Sequence, residues 1–237
     1  MGARDLTKPH LDGMDGEAFA SHVEERARDW FVNRGGGAIK VLPGLDGDPR
    51  RVRAWIVVRL KQGYLNEIEA CHVAARWLLD APIDVKRMLA RQVEDEARHM
   101  DLLGKRLRDL GEDPDDWVPM RTYRRLFDRC LDHRGSLPAR MALENFGAEL
   151  ISASWGNVPM IEVFSKVDPD TAALYHNVIQ KDEQFHTAIG RTVIRRYSDS
   201  PEVRREVLAE QDWLFSTLGE LKAEYNERLR EAAVEAC

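Results

Sequence analysis

The chain has 237 residues, enough for one sizeable domain with a full hydrophobic core. The net charge is -6 and basic residues are mixed with acidic ones, so nucleic acid is not an expected partner. The three cysteines (Cys71, Cys130 and Cys237) form no Cys-x-x-Cys pair, which excludes a rubredoxin-like module. Because no signal region or long apolar run is visible, we expect a cytoplasmic protein without a membrane partner.

Helical periodicity runs through most of the chain, and no stretch shows the sustained alternation of a strand. Breakers and capping residues divide this pattern into segments. We predict an N-terminal region over 1–50, with a helix at 17–32 and a Gly-rich loop, and a helical bundle over 51–237. The predicted helices of the second region are 51–79, a helix from Pro82 to a cap at Gly111, 120–131, 137–166 with a kink or break at Pro159, 169–197, and a last one from Pro201.

The sequence Asp-Glu-x-x-His occurs twice, once ending at His99 and once ending at His186. Residues three apart on a helix project from the same side, so Glu96 points with His99 and Glu183 points with His186. A carboxylate and an imidazole one turn apart can bind one metal ion. The other polar residues of both helices lie mostly on different faces. The two Glu-His pairs therefore stand out on otherwise apolar faces as candidate metal ligands.

Two further carboxylates are expected from the first and third bundle helices. In the third helix, Glu149 has an uncharged face around it, whereas Glu144 shares its face with Arg140. In the first helix, Glu67 lies on an apolar face, whereas the face of Glu69 is polar and is predicted to be wet. A buried carboxylate is costly unless a cation compensates it. We therefore predict Glu67 and Glu149 as ligands, with Glu69 as the runner-up.

In their order and spacing, these residues resemble the six ligands of the ferritin-like di-iron carboxylate superfamily: Glu67, Glu96, His99, Glu149, Glu183 and His186. The repeated Asp-Glu-x-x-His is most similar to the oxygen-activating branch, which includes multicomponent monooxygenase hydroxylases and ribonucleotide reductase small subunits. The resemblance covers about residues 51–197. It implies an all-α, ferritin-like four-helix bundle, to which the chain adds N-terminal and C-terminal helices.

The resemblance also implies what the site binds. Two iron ions are expected, or a manganese–iron pair, with dioxygen as co-substrate, and the four ligand glutamates form the catalytic centre. Asp182 is implied to hold His99, and Asp95 to hold His186. Leu103 stands where ribonucleotide reductases carry a radical tyrosine, so nucleotide reduction is not expected.

The resulting hypothesis is a non-haem di-iron oxygenase that hydroxylates, N-oxygenates or desaturates a small organic substrate. Tyr64, Cys71 and Phe146 lie near the ligands in sequence and are the candidate pocket residues. Electrons must come from an external donor, a reductase or a ferredoxin, and a homodimer is left open. The alternative is a ferroxidase or peroxide-reducing protein of the ferritin–rubrerythrin kind.

Overall fold

The computed structural model describes residue 11, residues 13–34 and residues 48–235, and every regular element in these ranges is helical. This confirms the predicted all-α class. The Gly-rich loop and most of the segment 1–14 lie outside the described residues. The helices are α1 (Gly16–Asn33), α2 (Pro49–Leu78), α3 (Ile83–Asp109), α4 (Arg121–Asp132), α5 (137–167), α6 (169–197) and α7 (Pro201–Glu235).

The helix boundaries follow local capping signals. The side chain of Asp48 accepts from the backbone N–H of Arg50 at the start of α2, and Ser136 caps α5 in the same way. Asp168 caps α6, and Pro169 occupies its first position. At the end of α3, Gly111 adopts a φ of +77°, a left-handed conformation that suits glycine. The predicted boundaries therefore agree with the structure to within a few residues.

Helices α5 and α6 are interrupted by wider π-helical turns. In α5 these turns are Glu144–Ala148 and Ser152–Gly156, and in α6 the turn is Tyr175–Ile179. A kink or break was predicted at Pro159, and the structure excludes the break, because α5 continues through this residue. A proline ring clashes with the carbonyl four residues earlier. That carbonyl lies within the second π turn, where the regular bonding is already altered.

Four helices enclose a common interior. Helices α2 and α3 run antiparallel, and Arg53 near the start of α2 donates to the carbonyl of Leu110 beyond the end of α3 at 2.8 Å. Helices α5 and α6 also run antiparallel, and Asn145 donates to the carbonyl of His186 at 3.3 Å. Helix α3 packs on α6 and closes the arrangement.

The remaining helices pack around these four. Helix α7 runs along α4, where Arg129 forms two hydrogen bonds to Glu210 of 2.8 and 2.6 Å. Helix α1 lies against α6, where Arg191 contacts Glu17 and Glu24. The division into regions 1–50 and 51–237 stays a prediction. None of the helices in the described ranges is both long and apolar enough to cross a bilayer.

Candidate metal centre

Four buried carboxylates and two buried imidazoles meet where the four enclosing helices face one another. Glu67 comes from α2 and Glu149 from α5, while α3 and α6 each supply a Glu-x-x-His pair. The side chains form two compact groups whose ligand atoms lie within 4.8 Å of one another: Glu67, Glu96, His99 and Glu183 in the first, and Glu96, Glu149 and His186 in the second. The structure thus brings together all six residues that the sequence singled out.

Glu96 belongs to both groups. Its Oε2 lies 3.3 Å from Nδ1 of His99, and its Oε1 lies 3.2 Å from Nδ1 of His186. Nδ1 of His99 is also 3.2 Å from Oε2 of Glu67, and Nδ1 of His186 is 3.7 Å from Oε1 of Glu149. The centroids of the two imidazole rings are 6.2 Å apart. Glu96 therefore lies between two neighbouring groups, each of which could hold a cation.

The two sequence motifs interlock rather than forming one group each. Glu183 lies one turn before His186 on α6, yet its carboxylate belongs to the compact group around His99. Spacing along one helix predicts only that the two side chains share a face. Which carboxylate meets which imidazole depends on how α3 and α6 pack, so the sequence did not reveal this exchange.

The outer nitrogens of both imidazoles face aspartates from the opposite motif. Nε2 of His99 is 3.0 Å from Oδ2 of Asp182, and Nε2 of His186 is 3.5 Å from Oδ2 of Asp95. The first distance is a hydrogen bond, whereas the second is longer. Arg98 donates to both aspartates at 2.8 Å, so one guanidinium links the two carboxylates on the outer side of the cluster.

Sequence reasoning missed two amides that hold the cluster. Gln92 donates to Oε1 of Glu149 at 2.9 Å and to Oε1 of Glu96 at 3.2 Å. Its own carbonyl accepts from Asn145 at 2.8 Å. Both amides are 1% exposed. The available signal was that Gln92 is polar and lies on the otherwise apolar face of α3, one turn before Glu96.

Burial dominates the electrostatics of the carboxylates. It raises the pKa of Glu67 and Glu149 well above the usual range and raises the pKa of Glu183 to about 7. Burial alone would do the same to Glu96, but the two imidazoles outweigh it and its pKa falls well below the usual range. Burial would lower the pKa of His99, but the adjacent carboxylates raise it to about 11.

Several oxygen and nitrogen atoms of the cluster that could bind a metal make no hydrogen bond among the described residues. Oε2 of Glu96, Oε2 of Glu149 and both ring nitrogens of His186 are buried without one in the described part of the chain. Such orphaned polar atoms are rare in protein interiors. A divalent cation would satisfy the two carboxylate oxygens and Nδ1 of His186, and a ligand set of carboxylates and imidazoles suits iron or manganese better than metals that prefer thiolates. The cluster could therefore hold metal ions.

The prediction that Glu69 is solvent-exposed is wrong. This residue is 6% exposed, the same as Glu67. Helix α4 covers its face of α2, and Arg124 donates to Glu69 at 2.7 Å. His72 lies 3.6 Å away on the same side. The charge of Glu69 is thus balanced by arginine, and Glu69 belongs to neither compact group.

Glu144 is a fifth buried carboxyl group that sequence reasoning set aside. It is 4% exposed, and its Oε2 makes no hydrogen bond among the described residues. It begins the first π turn of α5, five residues before Glu149. The wider turn brings residues five apart onto similar faces, so both face the interior. Burial raises the pKa of Glu144 to about 8.

A cavity of about 530 Å³ lies against one side of the cluster. Four carboxylates line it, those of Glu67, Glu144, Glu149 and Glu183, and the other walls are largely apolar. Helices α1, α4 and α7 supply many of these walls, although they contribute nothing to the cluster. Among the apolar lining residues are Trp30, Phe31, Trp55, Met120, Tyr123, Phe127, Met160, Tyr175, Leu218, Leu221 and Tyr225.

The three predicted pocket residues do not line this cavity. The hydroxyl of Tyr64 lies 3.3 Å from a carboxylate oxygen of Asp115 near the surface. The Sγ of Cys71 faces the carbonyl of Val93 between α2 and α3. Phe146 is 1% exposed and packs in the core. Proximity to a ligand in sequence therefore did not identify the cavity-facing side of each helix.

Comparisons with the models of known protein families, with curated proteins and with solved structures find no match for this chain. The role of the centre is therefore inferred from the interlocked cluster and from the cavity beside it.

Proposed function

We propose that this chain is a non-haem di-iron oxygenase built on a ferritin-like four-helix bundle. The proposed ligands are Glu67, Glu96, His99, Glu149, Glu183 and His186. The observation that carries the proposal is that the buried cluster opens onto a largely apolar cavity. A cavity of about 530 Å³ has the size of a site for a small organic molecule. Substrate and dioxygen would then meet at the side lined by the carboxylates.

The surrounding residues have distinct roles in this proposal. Asp182 offers Nε2 of His99 an acceptor at 3.0 Å, so the Nε2 proton would stay in place and Nδ1, which is directed at the cluster, would bind a cation by giving up its own proton. Gln92 fixes one oxygen each of Glu96 and Glu149. The aromatic and aliphatic walls exclude water from the reacting side. His99, Glu96 and Glu149 are thereby held in place before any cation arrives.

Two ferrous ions held by these ligands would supply the electrons and open coordination positions that dioxygen activation requires. For a hydroxylation, one oxygen atom of dioxygen enters a C–H bond and the other leaves as water. Two electrons and two protons complete the balance. In this proposal the electrons would come from an external reductase or ferredoxin.

The cavity favours an oxygenase over a ferroxidase. Oxidation of iron as a substrate needs a polar path for the ion and no organic site. Here the space beside the carboxylates is walled by side chains such as Trp55, Tyr175 and Leu221. Such walls suit an organic molecule.

The test is anaerobic loading of the full chain with ferrous iron, followed by a pulse of dioxygen. We expect two ions per chain, and dioxygen consumption that couples to an organic product only when a substrate is present. The matched control is Glu69→Gln, since Glu69 is as buried as Glu67 but pairs with Arg124. This variant should load iron normally, whereas Glu149→Gln should not.

Two results would overturn the proposal. The first is a chain that binds no iron, or one whose loading is equally impaired by the control substitution. The second is rapid iron oxidation with mineral formation and no organic product among the compounds tested. That second outcome, particularly from an assembly of many subunits, would support the ferroxidase alternative.

A further inference from the structure

Arg59 on α2 is a cation in the cavity wall that no carboxylate balances. It lines the cavity, yet it forms no ion pair within the described part of the chain. Its neighbours are the sulfur of Met160 and the ring of Tyr225, with the guanidinium carbon 5.3 Å from the ring centroid. Its Nε is buried without a hydrogen bond. By contrast, Arg106, which is also largely buried, donates to Asp168 at 2.5 Å.

Other polar atoms around the same cavity also lack partners. The hydroxyl groups of Tyr123 and Tyr225 and Oε1 of Gln62 make no hydrogen bond of good geometry among the described residues, although Tyr123 lies close to Gln62 and Tyr225 close to Arg59. All three residues line the cavity, and they are only 4%, 3% and 8% exposed. Buried polar groups are costly when left unpaired. Their number along one cavity indicates that a polar ligand completes the bonding.

Arg59 lies two helical turns before the proposed ligand Glu67 on the same face of α2. Arg59, Gly63 and Glu67 follow at intervals of four residues, so they lie on one face of α2, and all three line the cavity. Eight residues of helix correspond to about 12 Å along the axis. A Cβ at position 63 would lie 2.6 Å from the hydroxyl of Tyr175, so glycine gives that tyrosine room to line the space between them.

From this arrangement we propose that the cavity binds an organic carboxylate with an apolar body. The carboxylate pairs with Arg59 and accepts a hydrogen bond from the hydroxyl of Tyr225. The body extends between the aromatic walls toward Glu67, which places the carbon to be oxidised at the opposite end from the acid. This inference deepens the proposed function by naming the substrate class, and it rests on that function only for the oxidation step.

The binding step can be tested on the full chain without metal. The probes are 4-phenylbutyrate, the uncharged 4-phenylbutan-1-ol and the cationic 4-phenylbutylamine, which share one apolar body. Affinity is measured by calorimetry and by the fluorescence of Trp30 and Trp55 in the cavity wall. We expect the acid to bind at least about tenfold more tightly than the alcohol, as a charge-assisted hydrogen bond implies.

The variants separate charge from packing. Arg59→Gln should weaken binding of the acid by about tenfold or more and leave the alcohol within about twofold, whereas Arg59→Lys should retain part of the affinity. Tyr225→Phe keeps the ring that packs on Arg59 and should lower the affinity for the acid by a smaller factor. The matched control is Arg76→Gln on the same helix, since Arg76 pairs with Asp80 and does not line the cavity.

Three results with the parent chain would overturn the proposal. These are equal binding of acid and alcohol, tighter binding of the amine than of the acid, and no binding of the acid at millimolar concentration. Unchanged affinity for the acid in Arg59→Gln, with native circular dichroism, would do the same. Iron stoichiometry is measured separately on each variant. Loss of iron binding in every protein counts against the metal centre, whereas failure of acid binding with normal iron loading counts only against the carboxylate site.

Discussion

The two helix pairs that enclose the centre differ in regularity. Helices α2 and α3 run as unbroken α-helices of 30 and 27 residues, whereas α5 and α6 contain three π turns. Two of those turns directly flank the short segment that begins at Glu149. The regular pair presents its ligands at spacings that can be read from sequence. In the irregular pair, each π turn changes the direction in which the following side chains project. As a result Glu144 also faces the interior.

The largest effect is expected at Glu96, the carboxylate on α3 that belongs to both compact groups. Glu96→Gln should weaken metal binding by at least about 100-fold and reduce the stoichiometry, because Glu96 contacts both imidazoles. Binding of ferrous or manganous ions is measured by competition with a chelator. Glu69→Gln, a change of the same kind on the neighbouring helix, should bind as the parent does. A normal metal affinity in Glu96→Gln would show that Glu96 does not bind metal in both groups.

The next largest effect is expected at Asp182 and Asp95, whose carboxylates face the outer nitrogens of the two imidazoles. Asp182→Asn should weaken metal binding by about 10-fold to 100-fold, since it replaces the carboxylate that lies 3.0 Å from Nε2 of His99 with a neutral amide, which is a weaker acceptor. Asp95→Asn should have a smaller effect, because its carboxylate lies 3.5 Å from His186. The same competition assay checks both. Unchanged affinity in both variants would show that these carboxylates do not orient the imidazoles.

A third prediction concerns the close approach of the irregular pair. A Cβ at Gly190 of α6 would lie 2.7 Å from the backbone nitrogen of Phe146, within the first π turn of α5. Gly190→Ala should therefore lower the free energy of unfolding by about 1–3 kcal/mol. The matched control is Gly219→Ala on α7, which has open space and should be neutral or stabilising. Equal stability of both variants in urea unfolding would contradict the close contact.

The smallest effect expected is a pH dependence of the metal-free chain. Folding raises the pKa of Glu183 to about 7 and that of Glu144 to about 8, from an ordinary 4.5. Protonated groups of this kind favour the folded state below the ordinary pKa, and this contribution is lost as the pH rises through the raised values. The raised pKa of His99 acts in the same direction at higher pH. The lowered pKa of Glu96 has its effect below about pH 4.5.

We therefore expect the melting temperature of the metal-free chain to fall by about 5 °C between about pH 5 and pH 8. Metal should reverse the trend, because deprotonated ligands bind it more tightly at higher pH. Glu144→Gln should flatten the slope, and Glu69→Gln should not. Calorimetric melts at several pH values provide the measurement. If the melting temperature of the metal-free chain rises through this range, ionisation of the buried carboxyl groups does not destabilise the folded state, which would contradict their raised pKa values.

The sequence predicted well what depends on local pattern. Capping by Asp168 and Pro169 placed the start of α6, and the apolar face of α2 favoured Glu67, which does lie in the cluster, over Glu69, which does not. Periodicity could not show that α4 would bury Glu69 behind Arg124, because that contact joins residues 55 positions apart. Periodicity also assumes a regular turn. This assumption failed at Glu144, where the π turn changes the facing of the side chain.

The cavity was beyond sequence reasoning for a related reason. Tyr64, Cys71 and Phe146 were chosen by distance along the chain from a ligand, but none of them lines it. Much of the wall comes from α1, α4 and α7, whose docking depends on long-range packing. Arg59 has no local feature that distinguishes it from the other arginines of α2. Only its surroundings in the folded chain show that its charge is unbalanced.

The separate origin of the cavity wall has a consequence for how this chain can diversify. Residues such as Phe127, Leu221 and Tyr225 line the cavity, but they belong to helices that contribute nothing to the cluster. If the proposed function holds, substitutions there should alter the size and polarity of the compound that the cavity accepts and leave the six side chains of the cluster in place. A library restricted to these positions would test this expectation.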